Sequence, residues 1–324
     1  MPTPKVSILL PMYDVEGCIA ECVRSILAQT RTDFEIIAVD DCSPDRSGEV
    51  ARALLEAQDV IPWKLVRNEK NVGIAETRRI AVSHASGEYV LCVDSDDFVA
   101  PNAVEVVCRE ADQHGADVVI FAAKCIDPQG REVYRVKTGD ETITGLQAVG
   151  RIMDLSLQAY CWNKLFKREL FASVEHPAGL IYEDILVCVQ ALSRARVVRL
   201  IPDELYFYVK RGNGLSVRFN PRIVDLFEIM DRVERDTRGL PIDNGSKLFF
   251  RLKYVYAYRN IAFEAARLAP DYATAAPILD SVASKLRFTH VGKIYADKRP
   301  KLSVAMCLLK IHPRIFYRFV RRFN

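Results

Sequence analysis

Short, mostly apolar segments alternate with amphipathic segments between residues 5 and 123, and this alternation constrains the fold more than any other feature. The apolar segments are too short for helices and lack a polar face, which predicts buried strands. They are KVSILLP (5–11), FEIIAV (34–39), WKLV (63–66), EYVLCV (88–93) and DVVIFAA (117–123). The segments between them repeat apolar residues at helical spacing. The pattern predicts an α/β fold with a mostly parallel sheet flanked by helices, and a ligand beyond the carboxyl ends of its strands.

The chain after about residue 125 follows a different pattern. Helices are predicted near 144–155 and from 183 to 194, and the segment LYFYV (205–209) is predicted to be a strand. The pattern after that strand is mainly helical. The sequence therefore predicts two regions, an α/β domain over residues 1–218 and a helical C-terminal region over residues 219–324.

The composition excludes several classes of protein. Of the 324 residues, 50% are hydrophobic and 27% are charged, which is typical of a globular chain and not of disordered, collagen-like or coiled-coil sequences. We expect no membrane-spanning helix and no signal peptide, because no long uncharged apolar run and no leader pattern occur. The nine cysteines form no CxxC pair. Reduced thiols in a cytoplasmic protein are therefore expected, rather than disulfides or a zinc site.

Charge is unevenly distributed along the chain. The net charge is +3, but residues 298–324 contain eight Lys and Arg and no acid, which leaves −5 for residues 1–297. This balance argues against a nucleic-acid-binding protein. Four apolar residues after Pro313 share one helical face among arginines: Ile315, Phe316, Phe319 and Val320. Such a helix favours peripheral binding to an anionic membrane surface, at the inner face of the cell membrane, and packing against the acidic body is the alternative.

Acidic residues follow two of the predicted strands. Asp40 and Asp41 end the second strand, and Asp94-Ser95-Asp96-Asp97 follows EYVLCV. Carboxylates suit Mg²⁺ or Mn²⁺, and a divalent ion can bridge a diphosphate and stabilise it as a leaving group. Acid pairs are also common in solvated turns, but three acids directly after a buried strand would repel one another without a cation.

At this point the chain resembles family 2 glycosyltransferases, which have the nucleotide-sugar-binding GT-A fold. The matching segments occur in the order of that family and cover about residues 5–215. They are VSILLPMYDVEGCIAECVRSILAQT, DFEIIAVDDCSPDRS, NVGIAETRR, GEYVLCVDSDD, WNKLFKRELF and YEDILV. The resemblance implies an inverting transferase that moves a sugar from a nucleotide-sugar, with a UDP-sugar favoured, to a glycan or lipid-linked acceptor in cell-surface polysaccharide biosynthesis.

The resemblance also assigns the nucleotide pocket. It implies that Pro11 and Tyr13 line the pocket, with the tyrosine ring stacking on uracil, and that Asp41 accepts a hydrogen bond from the base. Asp94 is implied to lie near the ribose or the metal, and Ser95 is implied to bind the nucleotide or substrate. All five residues stand in segments that match the family.

The segment NVGIAETRR matches the family element N-x-G-x-x-x-A-R-N with two departures. Thr77 replaces the alanine and Arg79 replaces the final asparagine. The resemblance implies that Asn71, Gly73 and Arg78 contact the nucleotide. For Arg78 the alternative is a salt bridge that neutralises the acid cluster.

Two later segments supply further candidates. Trp162 and Lys164 belong to the W-N-K element, which implies that the tryptophan shapes the sugar or acceptor pocket and that the lysine offsets diphosphate charge. Core packing is the alternative for the tryptophan. Arg211 follows the tyrosine-rich segment and could clamp the diphosphate, with a solvated loop position as the alternative.

The resemblance finally implies the residues of the chemical step. Asp96 and Asp97 are the implied metal ligands for Mg²⁺ or Mn²⁺. Asp184 is the implied general base, with Glu183 beside it contacting substrate. The alternative for this pair is a helix N-terminus, where acids are favoured by the helix dipole.

Other function classes remain open from the sequence. A nucleotidyltransferase would also use a doubly wound sheet and metal-binding acids, but LLPMYDVEG lacks the expected Gly-rich basic loop after the first strand. A non-catalytic nucleotide-sugar-binding protein is the third class, and the presence of all the expected acids argues against it. The sequence leaves open whether the protein forms a homo-oligomer.

Overall fold

The computed structural model describes residues 3–211 and 218–322 and divides the chain into two compact units. The first unit comprises Met1–Val149 and Leu157–Arg211, and the second comprises Gly150–Ser156 and Gly212–Asn324. The sequence pattern predicts a domain boundary at residue 218, with residues 150–156 in the α/β domain, whereas in the structure residues 150–156 belong to the second unit.

Ten strands of the described residues form one mixed sheet in the first unit. They are β1 (Val6–Met12), β2 (Phe34–Asp40), β3 (Trp63–Arg67), β4 (Tyr89–Cys92), β5 (Phe98–Val99), β6 (Val118–Ile126), β7 (Glu132–Val136), β8 (Glu141–Ile143), β9 (Lys164–Lys167) and β10 (Val198–Val209). The strand order is β3-β2-β1-β4-β9-β6-β10-β5, with β7 beside β6 and β8 beside β10. The pairs β1–β2, β1–β4, β2–β3 and β6–β10 are parallel. The predicted α/β fold with a mixed, mostly parallel sheet is confirmed.

The strand β9 was not anticipated. It lies in the middle of the sheet and pairs antiparallel with both β4 and β6. Its segment KLFK is short and begins with a lysine, so the sequence pattern did not separate it from the loop before it and the helix after it.

The helices α1–α4 alternate with the first strands as expected. The helices whose residues lie wholly or partly in the first unit are α1 (Ile19–Leu27), α2 (Ser47–Glu56), α3 (Ile74–His84), α4 (Ala103–His114), α5 (Gly145–Met153), α6 (Arg168–Ala172) and α7 (Glu183–Arg194). In α1 one face buries Ile19, Cys22, Val23 and Ile26, as its helical spacing predicts. All seven residues of β1 are buried, which is typical of a strand covered on both faces.

The second unit is helical, as predicted. It contains α8 (Asp225–Thr237), α9 (Gly245–Phe250), a π-helical segment (Arg251–Tyr258), α10 (Arg259–Leu268), α11 (Tyr272–Lys285), α12 (Phe288–Ala296), α13 (Pro300–Ile311) and α14 (Pro313–Arg322), after a 3-10 turn (Pro221–Val224). No helix in the ranges 3–211 and 218–322 is both long and apolar enough to cross a membrane.

The predicted apolar face of α14 is partly buried and partly exposed. Phe316 and Val320 are buried within the second unit, and the Phe316 ring packs edge-to-face on Phe263 at 5.3 Å. Ile315 and Phe319 are exposed. Only part of the apolar face that the sequence predicts for membrane binding is therefore exposed.

Candidate functional site

The predicted acids lie at one edge of the sheet. Met12, at the end of β1, is in register with Asp40 at the end of β2, and the Asp41 amide donates to the Met12 carbonyl at 2.8 Å. The segment 94–97 follows β4, the other neighbour of β1. Because neighbouring parallel strands end at the same edge, both acid clusters meet there, as the sequence pattern predicts.

Pro11 and Tyr13 flank the end of β1. Pro11 is buried within the strand, opposite Val39 of β2. Tyr13 follows the strand, and 48% of its surface is exposed. Ser95 is buried at the neighbouring strand end. The nucleotide-binding roles of these residues stay predictions.

Asp41 organises the segment that opens α3. Its Oδ1 accepts hydrogen bonds from Asn68 Nδ2 at 2.8 Å and the Val72 amide at 2.9 Å, and its Oδ2 accepts from the Gly73 amide at 2.8 Å. Gly73 has φ of +85°, a conformation that favours glycine and turns the chain into the helix. Asn71 lies exposed beside these amides. Base or nucleotide contacts of Asp41, Asn71 and Gly73 stay predictions, and the geometry adds a structural role for Asp41.

Arg78, on the buried face of α3, joins three acids from two distant parts of the chain. Its Nη2 donates to Asp94 Oδ1 at 2.9 Å, and its Nη1 donates to Glu183 Oε1 at 2.7 Å and to Asp184 Oδ1 at 2.5 Å. The guanidinium is almost fully buried. The salt-bridge interpretation of Arg78 thus describes its position here, and the residue brings the proposed base next to the aspartates after β4.

Three carboxyl groups face this one guanidinium, so the single positive charge of Arg78 cannot neutralise all three if they are ionised. Burial and the adjacent Asp184 carboxylate raise the pKa of Glu183 to about 8, against the opposing effect of Arg78. Burial also raises the pKa of Asp94, again against the effect of Arg78. Glu183 therefore keeps a proton at neutral pH.

Asp184 is held by both carboxylate oxygens. Oδ1 accepts a hydrogen bond from Arg78 Nη1, and Oδ2 accepts one from the Cys161 amide at 3.1 Å. Glu183 and Asp184 open α7, as the helix-terminus alternative predicts, and the preceding Tyr182 has φ of +64°. Both interpretations of the pair are therefore compatible with its position.

Both carboxylate oxygens of Asp97 accept hydrogen bonds from within the protein. Its Oδ2 accepts from the Tyr206 hydroxyl at 2.9 Å, and its Oδ1 accepts from the Val209 amide at 2.7 Å. The same tyrosine hydroxyl accepts from the Asp94 amide at 3.1 Å. Sequence reasoning missed Tyr206, and the only signal for it was the aromatic character of LYFYV. These contacts do not favour Asp97 as a metal ligand.

Asp96 has a different environment. Among residues 3–211 and 218–322, no other residue donates a hydrogen bond to its carboxylate, while its backbone carbonyl accepts from the Arg211 guanidinium. Burial raises the pKa of Asp96, and Arg211 opposes this shift. The structure thus brings Asp96 and Arg211 together, and their metal and diphosphate contacts stay predictions.

Trp162 and Lys164 occupy interior positions. Trp162 stacks between Tyr160, at 4.8 Å between ring centroids, and Tyr206, at 4.6 Å. Lys164 is fully buried, and its ammonium donates to the carbonyls of Gln158 and Tyr160 at 2.8 and 2.7 Å. The prediction that Lys164 offsets the charge of a diphosphate is not supported by this geometry, because its donors are used within the protein.

Two solved structures illustrate the similarity of fold. The crystal structure of Staphylococcus aureus TarS 1-349 in complex with UDP-GlcNAc superposes with a TM-score of 0.74 at 22% identity, over 98% of this chain and 90% of that one. A mannosyltransferase from Pyrobaculum calidifontis, in complex with GDP-Man and Mn²⁺, has a TM-score of 0.56 at 15% identity, over 99% and 88% of the two chains. These likenesses confirm the predicted GT-A type of fold.

Sequence comparison identifies the family. The glycosyltransferase GlyG of Streptococcus pneumoniae is 31% identical over 219 residues, which are 65% of this chain and 72% of GlyG. The chain spans less of longer relatives, such as 42% of the TarS sequence. Residues 7–174, more than half of the chain, match the family model described as Glycosyl transferase family 2. The predicted resemblance is confirmed, and the chain belongs to glycosyl transferase family 2.

Proposed function

We propose that the protein is an inverting glycosyltransferase that uses a nucleotide-sugar, with a UDP-sugar as the first candidate. The acceptor is a hydroxyl of a glycan or of a lipid-linked glycan in cell-surface polysaccharide biosynthesis. One observation carries the proposal: Arg78 connects Asp184, the proposed base, with Asp94 at the strand end where the nucleotide is expected. The complex of a similar fold with UDP-GlcNAc supports the choice of donor class.

A divalent ion fits the acids after β4. No group of three or more His, Cys, Asp and Glu side chains in the described residues is arranged to hold a metal, so the protein alone forms no metal cage. Mg²⁺ is commonly held by one or two carboxylates together with substrate phosphates, and Asp96 is the carboxylate left for that role. Its neighbours Asp94 and Asp97 are engaged by Arg78 and Tyr206. When bound, such an ion supplies positive charge that stabilises the departing nucleoside diphosphate.

The residues of the chain account for the other requirements of transfer. Asp184 takes the proton from the acceptor hydroxyl as its oxygen attacks the anomeric carbon. Arg78 and the Cys161 amide hold the two oxygens of that carboxylate, which limits its rotation. Arg211, in contact with the Asp96 carbonyl, lies where it would contribute positive charge to the diphosphate.

Ligand binding followed by donor turnover tests this proposal. UDP with Mg²⁺ or Mn²⁺ should raise the melting temperature, since a ligand at one hundred times its Kd stabilises the folded state by about 2.7 kcal/mol. Asp96→Asn should lose the metal-dependent part of this shift, whereas Glu76→Gln, at an exposed salt bridge on α3, should keep it. Release of UDP from a UDP-sugar supports a glycosyltransferase. Release of pyrophosphate from a nucleoside triphosphate would instead indicate a nucleotidyltransferase, and binding without turnover a binding protein.

We also propose that the enzyme works at the cytoplasmic face of a membrane, bound peripherally to anionic lipid through the helices α12–α14. Six large apolar residues of these helices are each at least 43% exposed. They are Phe288, Tyr295, Val304, Ile311, Ile315 and Phe319. The segment 298–322 adds eight basic residues and no acid, a combination that suits an anionic surface. The nine free cysteines support a reducing compartment.

Vesicle flotation tests the membrane proposal. The protein should float with vesicles of phosphatidylcholine and phosphatidylglycerol and stay behind with phosphatidylcholine alone, because anionic lipid provides the electrostatic attraction. The double substitution Val304→Ser and Ile311→Ser should weaken flotation. Val60→Ser is the control, since Val60 is similarly exposed in the first unit. Equal flotation with both kinds of vesicle, or with neither, would contradict the proposal.

A further inference from the structure

Lys164, the first residue of β9, has an unusual environment for a lysine. Its side chain is fully buried, and the ammonium donates to three oxygens: the carbonyls of Gln158 at 2.8 Å and Tyr160 at 2.7 Å, and Asn163 Oδ1 at 2.7 Å. An ammonium has three donors, so all three are satisfied. A buried charge is costly unless it is compensated in this way. Lys164 therefore closes residues 158–163, here called the 158–163 loop, onto the sheet.

The 158–163 loop contacts the proposed base. The Cys161 amide donates to Asp184 Oδ2 at 3.1 Å, while Arg78 binds Oδ1 of the same carboxylate. With both oxygens engaged, the carboxylate plane is defined. With Arg78 alone, the carboxylate could rotate about its Cβ–Cγ bond and still keep the ion pair.

The same loop is connected through Tyr206 to the aspartates that follow β4. Trp162 stacks on Tyr160 and on Tyr206. The Tyr206 hydroxyl in turn hydrogen-bonds Asp97 Oδ2 and the Asp94 amide. One loop thus contacts the proposed base directly and the acids after β4 through Tyr206.

We propose that Lys164 is a positioning residue for sugar transfer, which acts by holding the 158–163 loop so that the Cys161 amide orients Asp184. This inference rests on the proposed function, in which Asp184 is the base. A general base must come within hydrogen-bonding reach of the acceptor hydroxyl, and a misplacement of about 1 Å can lower the rate about a hundredfold. Lys164 itself touches neither the proposed base nor the proposed metal ligand.

The substitution Lys164→Met, which keeps an unbranched apolar side chain and removes the ammonium with its donors, tests the inference. We expect kcat for donor hydrolysis or transfer to fall about 10- to 100-fold, with the donor KM within about twofold of wild type. The sequence contains two tryptophans, so Trp63→Phe leaves Trp162 as the only reporter. In that background, Lys164→Met should shift the Trp162 emission to longer wavelength and increase its quenching by acrylamide.

Lys167→Met is the matched control. Lys167 lies on the same strand and pairs with Asp117 at 2.8 Å, away from the loop. It should lose some stability and keep the wild-type kcat and Trp162 emission. A folded Lys164→Met protein with wild-type kcat, or an equal loss of kcat in Lys167→Met, would overturn the inference.

Two further outcomes are distinguished from failure of the inference: a variant that does not fold, and a wild-type protein without the proposed activity. If Lys164→Met does not fold, Lys164→Gln retains an amide donor, and the inference requires its kcat to lie below wild type with an unchanged donor KM. Wild-type kcat in that variant would overturn the inference. If the wild-type protein releases no nucleoside diphosphate from any nucleotide-sugar, the proposed function fails. Unchanged Trp162 emission in Lys164→Met overturns the inference about the loop and leaves the proposed function intact.

Discussion

The same chemical change at the adjacent acids Glu183 and Asp184 should have very different effects on the rate of transfer. Glu183→Gln and Asp184→Asn each replace a carboxyl oxygen with an amide nitrogen and preserve side-chain size. Both residues contact Arg78, and burial together with the neighbouring Asp184 raises the pKa of Glu183 to about 8. At neutral pH, Glu183→Gln therefore replaces one neutral group with another, whereas Asp184→Asn removes the proposed base.

The expected effect on rate follows from these roles. Loss of a general base lowers kcat about 100- to 10,000-fold, so Asp184→Asn should lose almost all transfer activity near neutral pH. Glu183→Gln should keep kcat within about threefold of wild type, a change of well under 1 kcal/mol in the barrier.

Stability should depend on pH through Glu183. Its folded-state pKa lies above the usual value of 4.5, so the folded state binds the proton more tightly than the unfolded chain does. The resulting stabilisation is complete below about pH 4.5 and is lost as the pH rises towards about 8, at up to roughly 1.4 kcal/mol per pH unit. Glu183→Gln has no such titration. Its unfolding free energy should therefore rise relative to wild type across this window, by up to a few kcal/mol.

Urea unfolding of both proteins at several pH values, with steady-state kinetics at the same values, measures these effects. Three results would refute the reasoning: near-normal activity of Asp184→Asn, a loss of activity at neutral pH in Glu183→Gln as large as in Asp184→Asn, or a stability difference between Glu183→Gln and wild type that does not change with pH. The first result would remove Asp184 as the base, and the other two would remove the raised pKa of Glu183.

Four further predictions follow from individual contacts. Arg78→Met leaves the buried Glu183 and the partly buried Asp94 and Asp184 without their cation and should lower the unfolding free energy by about 3–5 kcal/mol in urea denaturation, whereas Arg79→Met, at an exposed salt bridge, should change it by less than about 1 kcal/mol. Asp97→Asn should cost about 1–3 kcal/mol of unfolding free energy, because one of its two donors loses its acceptor. Asp96→Asn should leave stability within about 0.5 kcal/mol and abolish metal-dependent donor hydrolysis. Gly73→Ala, at φ of +85°, should lower the unfolding free energy by about 1 kcal/mol, measured by thermal unfolding.

The strand-end acids were predictable because their positions depend on local pattern. A buried parallel strand is apolar throughout, so β1, β2 and β4 are visible in the sequence, and their carboxyl ends meet at one edge of the sheet. The segments around Asp41 and Asp96 were located in this way. The family resemblance then supplied roles, which no spacing rule alone provides.

Contacts between distant segments were not predictable in the same way. The strand β9 lies between β4 and β6, two strands that are distant from it in sequence. A segment as short as KLFK does not indicate which strands it will pair with. The position of Lys164 follows from the pairing of β9. A charged residue is expected at the surface unless acceptors surround it, and here these are two backbone carbonyls and the Asn163 side chain, whose positions only the fold decides.

The sequence by itself determined the α/β class, the edge of the sheet that carries the acids, and the helical character of the C-terminal region. Hydrophobic periodicity encodes which face of an element is buried, and this suffices for those conclusions. Only the tertiary structure decided that Arg78 serves three acids, that Asp97 is bound by Tyr206 while Asp96 stays available, and that Phe316 turns into the core. The reason is physical, since an ion pair or hydrogen bond depends on the distance between atoms, and the fold sets that distance for residues far apart in sequence.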